Sequence, residues 1–184
     1  MMPIETDQKT RKPATDDPLP LTGSWRVDPQ ASHARFVAGT LAGVVETPGQ
    51  FRSLSGNLVV GPGYVAGALV IDPSSIDTGN PMRDRHLRSR AFFHVKRHPQ
   101  LRYEAHSISI EDPGTARIDG TLIAAGTRTA LPLDATLHAP ADGVIELACQ
   151  EQVDRVALGI RGARGMVPRT VRLDVKITLR RAIA

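Results

Sequence analysis

Ser74–Phe93, reading SSIDTGNPMRDRHLRSRAFF, carries the one strong helix signal in a chain that otherwise reads as strands from end to end. Asn80 before Pro81 forms an N-cap and first-turn pair: the Asn side chain accepts an orphan backbone N–H, and Pro has none to satisfy. Leu87, Ala91 and Val95 recur at helical spacing, with Arg83, Arg85, Arg88 and Arg90 spread around them. A basic helix set into a run of antiparallel strands points to a barrel with a plug or lid. Such a fold suits holding a ligand better than transforming one.

The second half alternates cleanly. Val171, Leu173, Val175, Ile177 and Leu179 oppose Arg172, Asp174, Lys176, Thr178 and Arg180, and Leu131, Leu133, Ala135 and Leu137 oppose Asp134, Thr136 and His138. The same pattern sets Leu101, Tyr103 and Ala105 against Arg102, Glu104 and His106. Period-2 patterning with one apolar face predicts antiparallel strands, dry inside and wet outside. Turn signals at Asp112-Pro-Gly114, Ala125-Gly126 and Ala141-Asp-Gly143 separate them, as do Thr47-Pro-Gly49 and Gly61-Pro-Gly63 in the first half. The expected strands span 32–43, 50–60, 64–72, 101–110, 115–124, 129–139, 143–153 and 169–181. The fold class is therefore all-β, an eight-stranded antiparallel lipocalin-like barrel with one inserted short helix, and a two-sheet sandwich is the alternative. Residues 1–20 are expected to be a disordered polar tail and 21–184 a single domain.

The expected inner face mixes aliphatic residues with small ones: Ala34, Ala38, Ala68, Ala105, Gly120, Ala124 and Ala135. Phe36, Phe51, Phe92, Phe93 and Tyr103 are the large fillers, which leaves room for a chain-like apolar ligand. A flattened barrel with a fully closed core is the competing reading.

The composition narrows the partners. The formal net charge is +4, and between Arg83 and His98 six Lys or Arg face one acid, Asp84. Basic surfaces attract anionic groups, yet the single Trp, two Tyr and four Phe are not interleaved with basic residues as a base-stacking platform requires, so nucleic acid is not expected. Cys149 is the only cysteine, so it forms no internal disulfide, and it shares a face with Ile145 and Leu147 as a small buried hydrophobe. Lys9, Arg11 and Lys12 precede no apolar run and no segment reaches membrane-spanning length, so a cytoplasmic location is expected. His94 and His98 have i, i+4 spacing, but Pro99 disfavours helix there, and no metal or other cofactor is assigned. Ser74 and Ser75 lack an activating motif, and no phosphate loop or nucleophile elbow occurs, so no catalytic residue is named. Asp77, Asp84, Arg83 and Arg88 read as a capping network that fixes the helix to the barrel.

An ordered series of short motifs extends this reading. Trp25-Arg-Val-Asp-Pro29, Ser32-His-Ala-Arg-Phe36, Gly49-Gln-Phe51, Ser75-Ile-Asp-Thr-Gly79, Arg83-Asp-Arg-His-Leu-Arg-Ser89, Phe92-Phe93 with Pro99, Gly120-Thr-Leu122 and Gly126-Thr127 before Leu131-Pro-Leu133 follow one another over residues 23–182. The series resembles the YceI-like family of lipocalin-shaped, polyisoprenoid-binding proteins. The resemblance implies an elongated apolar tunnel holding a long-chain amphiphile: a polyisoprenoid, an isoprenoid quinone or a fatty amide. Gly39-Thr-Leu41, His94 and Asp154-Arg-Val-Ala-Leu-Gly159 depart from the family pattern, the last by losing a Phe, which reshapes one tunnel end.

The expected function is non-catalytic binding, sequestration or transport of such a ligand. Phe36, Phe51, Phe92, Phe93, Leu101, Tyr103, Leu122, Leu133 and Leu173 are expected to line the tunnel, with Arg83 and His86 at its mouth. Two alternatives stay open: a small redox or isoprenoid-linked enzyme partner presenting a bound quinone, and a stress-response adaptor with a closed core and a basic partner-binding surface. Exposed barrel surfaces often pair, which allows a homodimer.

Overall fold

The computed structural model describes residues 21–40, 45–163 and 167–182. The expected tail, 1–20, and the last residues of the expected strand 32–43 lie outside them, as does Leu41 of the Gly39-Thr-Leu41 departure. The alternating segments become strands β1 (Gly23–Val27), β2 (His33–Thr40), β3 (Val45–Phe51), β4 (Leu54–Gly61), β5 (Tyr64–Ile71), β6 (Ile76–Asp77), β7 (Leu101–Asp112), β8 (Thr115–Ala124), β9 (Thr127–Ala130), β10 (Leu133–Ala141), β11 (Val144–Asp154) and β12 (Thr170–Arg181). A 3-10 turn at Pro73–Ser75 and one helix, α1 (Pro81–Arg88), lie between β5 and β7.

Eight strands, β1, β4, β5, β7, β8, β10, β11 and β12, form a closed antiparallel ring, because β1 pairs with β4 on one side and β12 on the other. The long strand β12 has two partners on that side. Its first half pairs with β2, Val171 opposite Ala38 to Lys176 opposite His33, and its end pairs with β1, Leu179 opposite Val27 and Arg181 opposite Trp25. Between β1 and β2 the Asp28 carboxylate accepts the N–H groups of Gln30 and Ala31, a local turn that shifts the chain from one pairing to the next. The ladder continues from β2 through β3 to β6, which delivers the chain to α1.

Three expectations need correction. Residues 23–27, not read as a strand, supply the closing member of the ring. Thr47-Pro-Gly49 is not a turn but the middle of β3. Pro48 is tolerated there because β3 meets β6 only at Gln50 and Phe51, which leaves the stretch before them as an edge, and a Cβ on Gly49 would collide with the Phe36 ring. The expected strand 129–139 divides into β9 and β10 at Pro132, which has no N–H to give a ladder.

The helix is also shorter than the Leu87, Ala91, Val95 spacing predicts. Ser89 takes an extended conformation after Arg88 and its N–H returns to the His86 carbonyl. Ala91 and Val95 therefore lie in the turns that follow, where Phe93 N–H reaches the Leu87 carbonyl and His94 adopts a φ of 48°. Ala68, although on the opposite register parity from Gly67 and Leu69, is buried and contributes to the lining of the interior.

Buried residues fall into two groups. One surrounds Trp25 with Leu21, Leu58, Ile118, Ile145 and Leu179; the other lies beside α1 and holds Ile76, Phe92, Phe93, Leu101, Val153 and Leu158.

Candidate ligand-binding interior

Inward parity places two apolar chambers within the barrel. The upper chamber, toward Trp25, has a volume of about 170 Å³, and the lower, beside α1, about 160 Å³. They share Ile71, Leu122, Leu173 and Val175 as walls. Each alone is smaller than a typical small-molecule site, and the two abut across these four apolar side chains.

All of the apolar residues singled out in the sequence lie on these walls. Phe36, Phe51, Phe92, Phe93 and Leu101 line the lower chamber, Tyr103 and Leu133 the upper, and Leu122 and Leu173 both. Phe36 comes from β2 and Phe51 from β3, with ring centroids 5.6 Å apart; Phe93 meets Phe51 edge-on at 5.7 Å. Phe92 meets the His86 ring at 5.1 Å. Such tilted and edge contacts are the favoured aromatic geometries.

The helix that brings Phe92 and Phe93 inward is tied down at both ends. Asn80 Oδ1 accepts from Met82 N–H and Arg83 N–H, and the buried Asp84 carboxylate accepts from the N–H and hydroxyl of Thr78. Arg83 donates from Nε to Thr78 Oγ1 and from Nη2 to Thr78 O, both at 2.7 Å, and Arg88 donates to the carbonyls of Ser74 and Ile76. Arg83, expected at the mouth, thus spends two donors on fastening the helix. Asp77 bonds Arg52 rather than the helix arginines, and the Gly79 N–H together with Arg52 holds its carboxyl below the usual range.

Tyr103 occupies the space that Gly120 leaves. Its hydroxyl donates toward the carbonyls of Leu131, at 2.9 Å, and Ile118, at 3.2 Å, and a Cβ on Gly120 would collide with its ring. Burial pushes its phenol well above the usual range. Cys149 lines the upper chamber, and burial, reinforced by Glu151 and Asp174, pushes its thiol up to about 11. Such a thiol is a hydrophobe, not a nucleophile.

Two residues escaped the sequence reading. Arg155, quoted only within the Asp154–Gly159 stretch, is buried, and its guanidinium donates to the carbonyls of Ile160, Gly162, Val167 and Pro168 at 2.8–2.9 Å. It gathers the segment after β11, whose Leu158, Ile160 and Val167 wall the lower chamber. Leu158 stands in the stretch that departs from the family pattern. Glu151 continues the inward parity of Ile145, Leu147 and Cys149 along β11, opposite Leu173 of β12, and lines the upper chamber. Carrying the alternation one step beyond Cys149 would have found it.

The histidines do not converge. His94 and His98 have ring centroids 5.8 Å apart, and desolvation, then His98, Arg90 and Arg97, lowers the pKa of His94. His33, His106 and His138 lie near Asp174, Thr121 and Glu146 respectively. Among the described residues no group of three or more His, Cys, Asp or Glu is placed to hold a metal, and no helix is long and apolar enough to cross a membrane.

A closed antiparallel barrel around apolar chambers, capped by a short helix, is a lipocalin-like architecture. The chain belongs to the family of the YceI-like domain, which matches residues 25–179. A UPF0312 protein of Serratia proteamaculans is 28% identical over 122 residues, covering 64% of this chain and 62% of that protein. One from Pectobacterium atrosepticum is 34% identical over 74 residues, 40% of this chain and 38% of its own. The chain thus spans less than two thirds of the length of these curated relatives. Among solved structures, a polyisoprenoid binding domain from Saccharophagus degradans superposes with a TM-score of 0.74 at 16% identity, covering 86% of this chain and 98% of that one. Burkholderia cenocepacia BcnA superposes with a TM-score of 0.73 at 19% identity, covering 83% and 98%. At these identities the likeness concerns the fold.

Proposed function

We propose that this protein binds a long-chain amphiphile, isoprenoid or acyl, in the barrel interior and holds or carries it without chemical change. The observation that carries the reading is the pair of chambers with a shared apolar waist. The lower chamber draws its walls from Phe36, Phe51, Phe92, Phe93, Leu101 and residues of the Arg155 segment, and the upper lies on the other side of the shared Leu122 and Leu173. Burying a chain there is favourable by roughly 25 cal/mol per Å² removed from water, before the losses of binding. The polyisoprenoid binding domain from Saccharophagus degradans has the same fold, which supports this choice of ligand class. A fully closed core, as the adaptor reading requires, fits less well with chambers of about 170 and 160 Å³. Burial holds the Cys149 thiol protonated, which disfavours it as a nucleophile.

Native mass spectrometry of freshly purified protein, followed by organic extraction, tests the proposal. A stoichiometric hydrophobic adduct, returned chemically unchanged, is the expected result. A bare mass that persists after incubation with prenols, isoprenoid quinones and fatty amides would refute it. Phe92→Asp puts a charge into the lower chamber and should abolish uptake with the barrel still folded by circular dichroism. Uptake at normal stoichiometry in that variant would remove Phe92 from the site.

A further inference from the structure

From Arg85 to Gln100 the chain carries five Lys or Arg and no acid. Arg88 is spent on the carbonyls of Ser74 and Ile76. Arg85, Arg90, Lys96 and Arg97 are exposed, and among the described residues none of the four is in an ion pair. The acids at this end of the barrel are already engaged: Asp72 with the Ser74 N–H, Asp77 with Arg52, Asp84 with Thr78, and Asp154 with Arg169. His94 feels the uncompensated charge, since after desolvation it is His98, Arg90 and Arg97 that lower its pKa. The hairpin turns at the opposite end, 61–64, 111–115 and 141–144, hold Glu111, Asp112 and Asp142 and no Lys or Arg. The barrel is thus polarised along its length, and an anionic surface would draw it in α1 first.

Two further features say what kind of anion. Met82 is 83% exposed on the outer side of α1, one turn before the exposed Arg85 and His86, while Asp84 is buried and Leu87 walls the lower chamber. An exposed apolar side chain beside unpaired cations fits a bilayer, which offers headgroup phosphates to the cations and acyl chains to the Met. A nucleic acid would want aromatic faces among the cations, and the aromatic rings of this region, Phe92 and Phe93, are buried. Leu87, Phe92 and Phe93 also belong to the helix and turns that carry the cations, so docking here sets the lower chamber close to the bilayer. We propose that α1 and the turns after it dock on a bilayer surface rich in anionic lipid, through Arg85, Arg90, Lys96, Arg97 and Met82. The choice of a bilayer rests on the lipid-binding reading above, and it adds where the ligand is taken up or released.

Co-sedimentation of the full chain with sucrose-loaded vesicles tests the docking, comparing phosphatidylcholine alone with phosphatidylcholine containing about one third phosphatidylglycerol. The anionic vesicles should be bound about tenfold or more tighter, and the preference should collapse between about 0.05 and about 0.5 M salt as the charges are screened. Arg90→Gln with Arg97→Gln should weaken binding about fivefold or more, and Met82→Ser about two- to fivefold at unchanged charge. Arg26→Gln with Lys176→Gln removes the same charge from elsewhere on the barrel, at the cost of one surface pair with Glu146, and should stay within about twofold. Each of these variants changes surface residues and should melt with the wild type. Equal binding of the wild type to both vesicles, or an equal loss in the two double variants, would overturn the α1 surface as the docking site. Single-stranded DNA or polyglutamate bound as tightly as the anionic vesicles would overturn the bilayer in favour of a general polyanion. No binding to either vesicle, from protein that still yields a hydrophobic adduct in native mass spectrometry, would overturn the docking and leave the lipid reading standing. Vesicle binding without any adduct would uphold the docking and overturn the lipid reading alone.

Discussion

Gly120 has no side chain because the Tyr103 ring lies where one would project, and the two together fill a position the sequence alone makes look empty. Gly120→Ala should therefore overpack the wall and cost about 1–3 kcal/mol, read as a lowered urea midpoint with an unchanged slope. Gly49 and the Phe36 ring stand in the same relation on the lower wall. Cys149 offers a second check at this scale. Burial disfavours its charged form, so the native thiol is protonated until the pH approaches about 11. Alkylation of the folded protein by iodoacetamide should stay slow through neutral and mildly alkaline pH and rise only toward that value. The unfolded chain should react at lower pH, and equal rates in the two states would contradict the buried placement.

At the scale of elements, the lower chamber depends on two segments that are not strands. The helix α1 is fastened through Thr78, Asp84, Arg83 and Arg88, and the turns after it set Phe92 and Phe93 beside Phe51. The segment after β11 is gathered by Arg155. Removing that guanidinium leaves its carbonyl partners short of donors. Arg155→Met should cost about 3 kcal/mol or more, and Arg155→Lys should recover less than half, because a point ammonium cannot span the same set of carbonyls. Limited proteolysis should then cut within 155–169, and a cutting pattern like that of the wild type would show that the segment holds itself. Asp154, which accepts from Val156 and Ala157 N–H and pairs with Arg169, has its pKa lowered chiefly by Arg169. Its contribution is present above the unfolded carboxylate range and fades as the pH falls toward the lower folded value.

At the scale of the whole molecule, the barrel is closed by its first strand against its last. Trp25 anchors the seam: it is 2% exposed, its Nε1–H donates to the Leu21 carbonyl at 2.6 Å, and the Arg181 guanidinium sits 4.8 Å from its ring centroid. Trp25→Ala should cost about 3–5 kcal/mol in denaturant unfolding. Trp25→Phe should cost about 1 kcal/mol, roughly the value of the lost hydrogen bond. Because Trp25 is the only Trp, its emission in the wild type reports the seam directly and should shift to the red in a single transition with global unfolding. A separate early shift would mean that the seam opens before the ring.

Much of this molecule was legible in the order of its residues. Alternation is a local property, and it identified an all-β barrel, the inner parity of Tyr103, Leu133 and Leu173, and the start of α1 at Asn80 and Pro81. The aromatic residues near α1 could be nominated as tunnel walls because few other large side chains were available. Pairing across the chain is not local, and there the reading ran out. Whether Thr47-Pro-Gly49 turns or runs straight depends on what lies beside β3. Whether residues 23–27 are a strand depends on the free end of β12. The same is true of the two charged residues that matter most inside. The alternation along β11 fixes the parity of Glu151, but only the folded ring sets it between the upper chamber and a cavity that Arg35 and Arg172 also line. Only the path of the segment after β11 brings four carbonyls around Arg155. Side-chain period is written along one strand; closure, chamber shape and the surroundings of a charge are decided by which strands meet.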